Sequence, residues 1–311
     1  MDFSVTILGS NAAKPTMRRF SSAQVLQTGE NLHLIDCAEG TQIQMERFHL
    51  KFSLVKTIFI SHLHGDHVFG LPGLLSTFSM LERTAALDLY APPPLENWLN
   101  GLLKYFPPLS YPLHIHPLTH NEPTVIHENK QMTVTAFPLK HRVATFAYLF
   151  REKEKPLNIR KDMIDFYRIP LREIVAIKAG SDFTDNDGKT IPNERLVFPP
   201  IKPRSYAYCS DTAYLPAITN ILHNTDLLYH EATFADDNSE RAVATFHSTA
   251  RQAAQIALDS QVEKLIIGHF SSRYDDISVI LREAQAVFPN TEAAEDGKVF
   301  RLPEITKRRN E

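Results

Sequence analysis

The sequence predicts an α/β protein with large β-sheets. Short runs of strand type alternate with helix-like runs along most of the chain. With 311 residues, 43% of them hydrophobic, the chain is long enough to bury the core of one large domain. No internal repeat with a period of 20–50 residues is present, which argues against a solenoid.

Eleven runs predict strands because they are short, apolar or alternating. They are Val5–Gly9, Ala23–Gln27, Leu32–Asp36, Thr57–Ser61, Leu87–Tyr90, Leu113–His116, Met132–Ala136, Ala147–Phe150, Tyr206–Ser210, Leu227–His230 and Leu265–Gly268. The predicted helices are Thr41–Phe48, Gly70–Leu81, Leu95–Tyr105, Ser248–Leu258 and Ile277–Val287. Ser248 is a suitable N-cap for the fourth helix, and Pro289 follows the end of the fifth.

Composition excludes several classes of protein. The net charge of −3 argues against a surface covered in basic charge for bulk nucleic-acid binding, although it leaves room for a local basic patch. Cys37 and Cys209 are the only cysteines, which excludes a disulfide-rich scaffold and a Cys₄ zinc site. No apolar stretch approaches the ~20 residues of a membrane span, and no signal-peptide pattern opens the chain. We therefore expect a soluble cytoplasmic protein with no membrane partner.

A charged stretch at 151–195 differs from the rest of the chain. It has weak periodicity, eight basic against five acidic residues between Arg151 and Lys178, and a turn-rich run at Asp182–Gly188. We interpret it as a flexible arm inserted within one domain that spans 1–311. The alternative is a solvated surface excursion that binds no partner. The tail Lys307–Glu311 is expected to fray.

The clearest functional signal lies between the predicted strand at 57–61 and a helix-like run. His62 and His64 are two residues apart, so in extended backbone they project to the same side. Gly65 permits a turn, after which Asp66 and His67 can point to a second position. Three imidazoles and a carboxylate suit zinc. The alternative is a polar loop with incidental histidines.

His114 and His116 are also two residues apart, on a predicted strand. We find no nearby carboxylate and no strand–turn–helix setting around them. We therefore interpret this pair as one that binds no metal.

The pattern His-x-His-x-Asp-His after a strand resembles the signature of the metallo-β-lactamase superfamily. Further matches resemble the tRNase Z (ribonuclease Z) family of zinc-dependent endonucleases and extend in order from residue 6 to residue 274. They are Leu8-Gly9-Ser10, Pro15-Thr16, Asp36-Cys37-Ala38-Glu39-Gly40-Thr41-Gln42, Gly70-Leu71-Pro72-Gly73-Leu74, His230-Glu231-Ala232-Thr233-Phe234 and His269-Phe270-Ser271-Ser272-Arg273-Tyr274. The resemblance implies the metallo-β-lactamase fold, a four-layer αβ/βα sandwich, with a projecting substrate-binding arm.

The resemblance also implies the residues of the site, with two zinc ions per subunit. One ligand set is His62, His64, His141 and Asp211, and the other is Asp66, His67, Asp211 and His269. Two such ions serve phosphodiester hydrolysis by lowering the pKa of a shared water and neutralising phosphate charge. Asp66 is the implied residue that orients the water or accepts its proton.

The leaving ribose oxygen needs a proton, and the resemblance implies His247 as its donor, paired with Glu231. The alternative for His247 is a helix-capping histidine. Arg273, Ser271 and Ser272 are implied to bind a substrate phosphate, the alternative being a surface turn.

The implied activity is removal of the 3′ trailer from precursor tRNA by a homodimer in which one subunit's arm holds tRNA at the other's site. The alternative is a dizinc phosphodiesterase that acts on small esters. β-Lactamase and thioesterase activities fit less well, and a noncatalytic RNA-binding homologue conflicts with the presence of every ligand.

The sequence departs from the family pattern in the arm, where Leu171-Arg172-Glu173 follow Ile169-Pro170 in place of the family's Gly-Pro pair. The segment Asn11–Lys14 also departs from the family's small-residue loop.

Overall fold

Two seven-stranded sheets form the centre of the molecule in the computed structural model, which describes residues 2–305. The first sheet contains β1 (Phe3–Gly9), β2 (Ala23–Thr28), β3 (Asn31–Ile35), β4 (Val55–Phe59), β5 (Leu87–Ala91), β6 (Leu113–Pro117) and β16 (Val299–Arg301). The second contains β7 (Thr124–Glu128), β8 (Met132–Pro138), β9 (Phe146–Glu152), β12 (Ser205–Cys209), β13 (Leu227–Glu231), β14 (Lys264–Gly268) and β15 (Thr291–Ala293). The tail for which we expect fraying lies outside the described residues.

Both sheets are mixed. In the first, of order β16-β1-β2-β3-β4-β5-β6, the strands from β3 to β6 run parallel and the others antiparallel. In the second, of order β15-β14-β13-β12-β9-β8-β7, the strands from β12 to β15 run parallel. β9 is antiparallel to both β12 and β8, so β8 ends at the same edge as β12.

Eleven α-helices lie in the described chain. They are α1 (Thr41–Arg47), α2 (Gly65–Val68), α3 (Leu71–Met80), α4 (Pro94–Leu103), α5 (Lys161–Tyr167), α6 (Leu171–Lys178), α7 (Asn193–Leu196), α8 (Thr219–Leu222), α9 (Ser239–Thr245), α10 (Ala250–Asp259) and α11 (Ser278–Val287). Among the described residues, none of these helices is long and apolar enough to cross a membrane.

Three apolar clusters hold the layers together. The middle cluster lies between the two sheets and joins Val5 and Phe59 to Tyr148. A second packs α1, α3 and α4 on the outer face of the first sheet, and a third packs α8, α10 and α11 on the second. Because most strands are buried on both faces, their sequences read as continuous apolar runs. The predicted four-layer sandwich is confirmed.

The insertion between β9 and β12 is more structured than its composition suggests. It contains α5, α6, α7 and a small hairpin of β10 (Phe183–Thr184) and β11 (Thr190–Ile191). Ile169, Ile177 and Leu196 form the centre of a separate small core there. The weak periodicity of this segment therefore conceals a small core, because apolar side chains spread over about 40 residues pack together only in three dimensions.

One helix boundary also differs from the prediction. The N-cap of α10 is Thr249, whose side chain and that of Gln252 form a reciprocal capping box. Ser248 instead donates a hydrogen bond to the carbonyl oxygen of Thr212. The predicted Ser248 cap is therefore wrong by one residue.

Candidate metal centre

The polar side chains that follow the strands gather at one edge of the sandwich. His62 and His64 follow β4, while Asp211 follows β12 and His269 follows β14. His141 lies in the turn after β8. These strands end at the same edge, where ligands of α/β folds commonly bind.

Four of these residues form the first cluster. The ligand atoms of His62, His64, His141 and Asp211 all lie within 4.8 Å of one another. His64 Nδ1 is 2.9 Å from His62 Nε2 and 3.3 Å from His141 Nε2. Asp211 Oδ2 lies 3.6 Å from His62 Nε2. Burial lowers the pKa of His62 well below its usual value, which favours the neutral ring that binds metals.

A second cluster lies beside the first and contains Asp66, His67 and His269. The Nε2 atoms of His67 and His269 are 3.4 Å apart. Asp211 Oδ1 is 3.4 Å from His67 Nε2 and 3.2 Å from His269 Nε2. Asp211 therefore presents one carboxylate oxygen to each cluster, as a bridging ligand would.

The donor set fits metal cations. His67 Nδ1 donates to Asp36 Oδ2 at 2.7 Å, and His269 Nδ1 donates to Thr233 Oγ1 at 2.9 Å. Both Nε2 lone pairs then point toward the same region, which a cation would satisfy. Burial alone would lower the pKa of His67, but the charges of Asp211, Asp36 and Asp66 outweigh burial and raise it. The same negative field favours a metal cation in place of the proton.

Buried hydrogen bonds orient the side chains of the two clusters. Asp36 accepts from the backbone N–H of Ser61 at 2.7 Å, from the Ser61 hydroxyl at 2.9 Å and from the Tyr208 hydroxyl at 2.6 Å. The carbonyl oxygen of Phe246 accepts from His141 Nδ1 at 2.9 Å. Sequence reasoning noted Asp36 only as part of a motif and did not assign it this role.

The turn at Gly65 has a different cause from the one expected. Its φ is not in the left-handed region, and it begins the short helix α2. A Cβ at this position would lie 2.3 Å from the ring of Phe69. A left-handed turn conformation therefore does not explain the glycine, and a side chain here would displace the exposed ring of Phe69.

Glu231 and His247 form a buried pair next to the metal clusters. Glu231 Oε1 is 2.8 Å from His247 Nδ1, and Oε2 accepts from the Thr233 hydroxyl at 2.6 Å. Burial favours the neutral imidazole, but the charge and hydrogen bond of Glu231 outweigh burial and raise the pKa of His247 to about 9. The His247 ring lies 5.4 Å from that of His269, which brings the pair to the edge of the metal centre.

The site opens into a cavity of about 520 Å³. Ser271, Ser272 and Arg273, the residues predicted to bind phosphate, all line it. Ser271 is buried, while Ser272 and Arg273 are exposed. Arg241 of α9 also lines this cavity and was missed by the sequence reasoning. It lies in a short helix with no recognisable motif, so the sequence offers no signal for it.

The loop that departs from the family pattern contacts the site through its backbone. The N–H of Ala13 donates to Asp66 Oδ2 at 2.6 Å. Ala13 has a φ of 64°, and the neighbouring Ala12 N–H donates to the carbonyl oxygen of Phe270 at 2.9 Å. A backbone donor depends little on side-chain identity, so the altered residues keep this contact.

The pair His114 and His116 does have a carboxylate beside it. Asp88, on the neighbouring strand β5, lies 3.5 Å from His114 Nδ1 and 2.8 Å from His116 Nε2. The statement that no carboxylate is near was wrong, because Asp88 is distant in sequence and opposite His114 in the sheet register. This half-exposed group lies apart from the metal centre.

Comparisons with known proteins identify relatives of the whole chain. Ribonuclease Z of Bacteroides thetaiotaomicron is 48% identical over 309 residues, which cover 99% of this chain and 98% of the relative. Ribonuclease Z of Porphyromonas gingivalis is 45% identical over 295 residues, covering 94% and 97%. A family model described as anti-Pycsar protein Apyc1 matches residues 3–154.

Solved structures agree with this result. The crystal structure of the short form of human tRNase Z has a TM-score of 0.71 and 25% identity, and the match covers 96% of this chain and 99% of that one. The metallo-β-lactamase fold protein YhfI from Bacillus subtilis has a TM-score of 0.69 and 17% identity, covering 97% and 100%. At that identity the second match supports the fold alone.

Proposed function

The chain belongs to the ribonuclease Z family, and from this membership we propose how its residues remove the 3′ trailer from precursor tRNA. The chain is a metal-dependent endoribonuclease that hydrolyses one phosphodiester bond and leaves a 3′-hydroxyl on the tRNA. The observation that carries the proposal is the pair of His/Asp clusters that share Asp211.

We assign two zinc ions to these clusters. His62, His64, His141 and Asp211 would hold one ion, and Asp66, His67, Asp211 and His269 the other. Imidazole nitrogen and carboxylate oxygen are ligands that zinc accepts. When bound, the ions supply a water of lowered pKa and neutralise charge on the scissile phosphate.

The protein residues orient the reactants and move protons. Asp66 is held by the Ala13 N–H and lies 3.4 Å from His269, so its carboxylate can orient the attacking water. His247 donates a proton to the leaving 3′ oxygen of the tRNA ribose. Glu231 keeps the imidazolium of His247 charged and fixes its ring, because the pair is buried and hydrogen-bonded at 2.8 Å.

Arg273, Ser271 and Ser272 bind the substrate phosphate in the same cavity. The Ser271 N–H donates to the carbonyl oxygen of Thr233, which ties this loop to the Glu231–His247 pair. The guanidinium of Arg273 can form two hydrogen bonds to one phosphate.

We propose a cytoplasmic homodimer in which the inserted arm contacts the tRNA body. Apolar side chains at the ends of α3 and α4 support the dimer: Met80 is 72% exposed, Leu81 61% and Phe106 50%. Met80 and Phe106 line one surface groove, and exposed apolar surface of this kind often marks a protein–protein interface. Sedimentation of Met80→Glu and Phe106→Glu should show monomers, while Val125→Glu on β7 leaves the dimer intact. A monomeric wild type would contradict this part of the proposal.

Cleavage of a precursor tRNA with a 3′ trailer, measured beside hydrolysis of bis(p-nitrophenyl) phosphate, tests the function. Wild type should cut the tRNA after the discriminator base, and Asp66→Ala should abolish the cut. Asp88→Ala is the matched control, since the carboxylate of Asp88 pairs with His114 and His116, apart from the metal centre. Hydrolysis of the small ester without tRNA cleavage would favour the alternative, a phosphodiesterase of small esters.

A further inference from the structure

We infer that Arg241 binds a phosphate on the tRNA side of the scissile bond, and this inference rests on the proposed function. Arg241 lies on α9, the helix that leads directly into His247. It lines the cavity that also contains Asp66, Asp211 and His269. Its side chain is exposed to solvent.

Arg241 differs from Arg142 and Arg251 because no group in the described part of the chain engages its guanidinium. Arg251 pairs with Asp236, and Arg142 donates to the carbonyl oxygen of Ala244. Within residues 2–305, no ion pair or side-chain hydrogen bond engages the guanidinium of Arg241, and the same holds for Arg273. The cavity therefore has two guanidinium groups on its walls that are available to phosphates.

Contacts with the metal ligands fix the position of α9. The helix ends at Thr245, and the next residue, Phe246, has a φ of 59°. The carbonyl oxygen of Phe246 accepts from His141 Nδ1 at 2.9 Å. The His247 N–H donates to the carbonyl oxygen of Ala242 at 2.9 Å. Arg241 and His247 thus lie in one hydrogen-bonded segment, and its backbone limits the distance between them.

The position of His247 determines which part of the substrate Arg241 meets. His247 protonates the ribose oxygen that remains on the tRNA, so nucleotides on its side belong to the tRNA. Arg241 lies one helical turn before Thr245, about 6 Å along the axis. A phosphate one or two nucleotides upstream of the cut is within its reach. Arg273, four residues after His269, lies on another wall of the cavity and would bind the scissile or trailer phosphates.

Binding of mature tRNA separates this inference from other roles of Arg241. Mature tRNA lacks the trailer, so it reports only on contacts upstream of the cut. Arg241→Ala should raise the Kd of mature tRNA and the KM of precursor tRNA by about 5- to 30-fold. The slope of log K against log salt should fall by about 0.7–0.9, as expected for one lost phosphate contact. Arg241→Lys should retain part of the affinity. Hydrolysis of bis(p-nitrophenyl) phosphate should change less than about twofold, because that ester has no upstream phosphate.

Arg282→Ala, an exposed arginine of α11 outside the cavity, serves as the matched control and should change neither constant. An unchanged Kd for mature tRNA in Arg241→Ala would overturn the inference, whether or not the KM of precursor tRNA rises. Loss of small-ester hydrolysis would also overturn it, by showing an effect on the metal centre. Wild type is measured in the same assay, so a failure of the proposed function appears as absent tRNA cleavage by wild type itself.

Discussion

Replacing Asp36 with Asn should weaken one of the two metal sites. The carboxylate accepts four hydrogen bonds, three at Oδ2 and one at Oδ1. An amide has one acceptor oxygen, so either His67 Nδ1 or the Ser61 N–H must face an NH₂ group. The change also removes the negative charge that strengthens His67 as a ligand.

The expected loss follows from the bond that is broken. A hydrogen bond to a charged group is worth about 1.5–3 kcal/mol, and about 1.4 kcal/mol corresponds to a factor of ten. Loss of an outer hydrogen-bond partner lowers metal affinity by about 10- to 100-fold. Because Asp36 contacts His67 but no ligand of the first cluster, one binding step should weaken by this factor and the other by less than about threefold.

Competition for zinc with a chromophoric chelator at pH 7.5 resolves the two binding steps. Asp226→Asn is the matched control, because Asp226 accepts from the Ser205 N–H and hydroxyl at the far end of β12. It should lower Tm without changing either step. Wild-type zinc affinity at both binding steps in Asp36→Asn would contradict this prediction. So would an equal fall in affinity at both steps in a variant that keeps the wild-type circular dichroism spectrum.

Three further predictions concern catalysis, acid stability and packing. Glu231→Gln and His247→Ala should each lower kcat on precursor tRNA by about 10²- to 10⁴-fold with unchanged zinc content. Loss of zinc in either variant would contradict this role, because it would identify the residue as a metal ligand. Burial lowers the pKa of His33 to about 3 in the folded protein, from 6.5 in the unfolded chain. The free energy of unfolding is therefore highest above pH 6.5 and falls as the pH drops from 6.5 toward 3, because only the unfolded chain takes up a proton there. Urea unfolding of metal-free protein measures this at pH 7.5 and 5.5. Between these pH values the free energy of unfolding should fall by about 1.4 kcal/mol more in wild type than in His33→Gln. Equal falls would contradict the lowered pKa of His33. Gly70→Ala should cost about 3 kcal/mol in thermal unfolding, since its Cβ would lie 2.0 Å from a backbone oxygen, whereas Gly73→Ala, with open space around it, should be neutral or stabilising.

The sandwich could be predicted because its strands carry strong local signals. Runs such as Val5–Gly9 and Leu227–His230 are apolar except for Thr6 and His230, since both faces of these strands are buried. Strands of three to five residues with mixed polarity, such as β7 and β15, lack that signal and were missed. The core of the inserted arm was missed for a related reason, because its apolar residues are separated by charged ones.

The proposed ligands were predicted from motifs, but the groups that orient them were not. Asp36 lies 31 residues before His67 and 172 before Tyr208, so its hydrogen bonds exist only in the folded chain, and the one from Tyr208 forms only once the two sheets pack. The contact of the Ala13 N–H with Asp66 is made by backbone and leaves no trace in residue type. Arg241 depends on where α9 places it, which the sequence of that helix does not encode locally.

In the proposed reaction, water attacks the phosphorus and the ribose 3′ oxygen leaves with a proton from His247. Cleavage of precursor tRNA in ¹⁸O-labelled water, followed by mass analysis of both products, tests this directly. We expect a 3′-hydroxyl on the tRNA and one ¹⁸O in the 5′-phosphate of the trailer. A 2′,3′-cyclic phosphate on the tRNA and an unlabelled 5′-hydroxyl trailer would contradict it, because the ribose 2′ oxygen would then be the nucleophile.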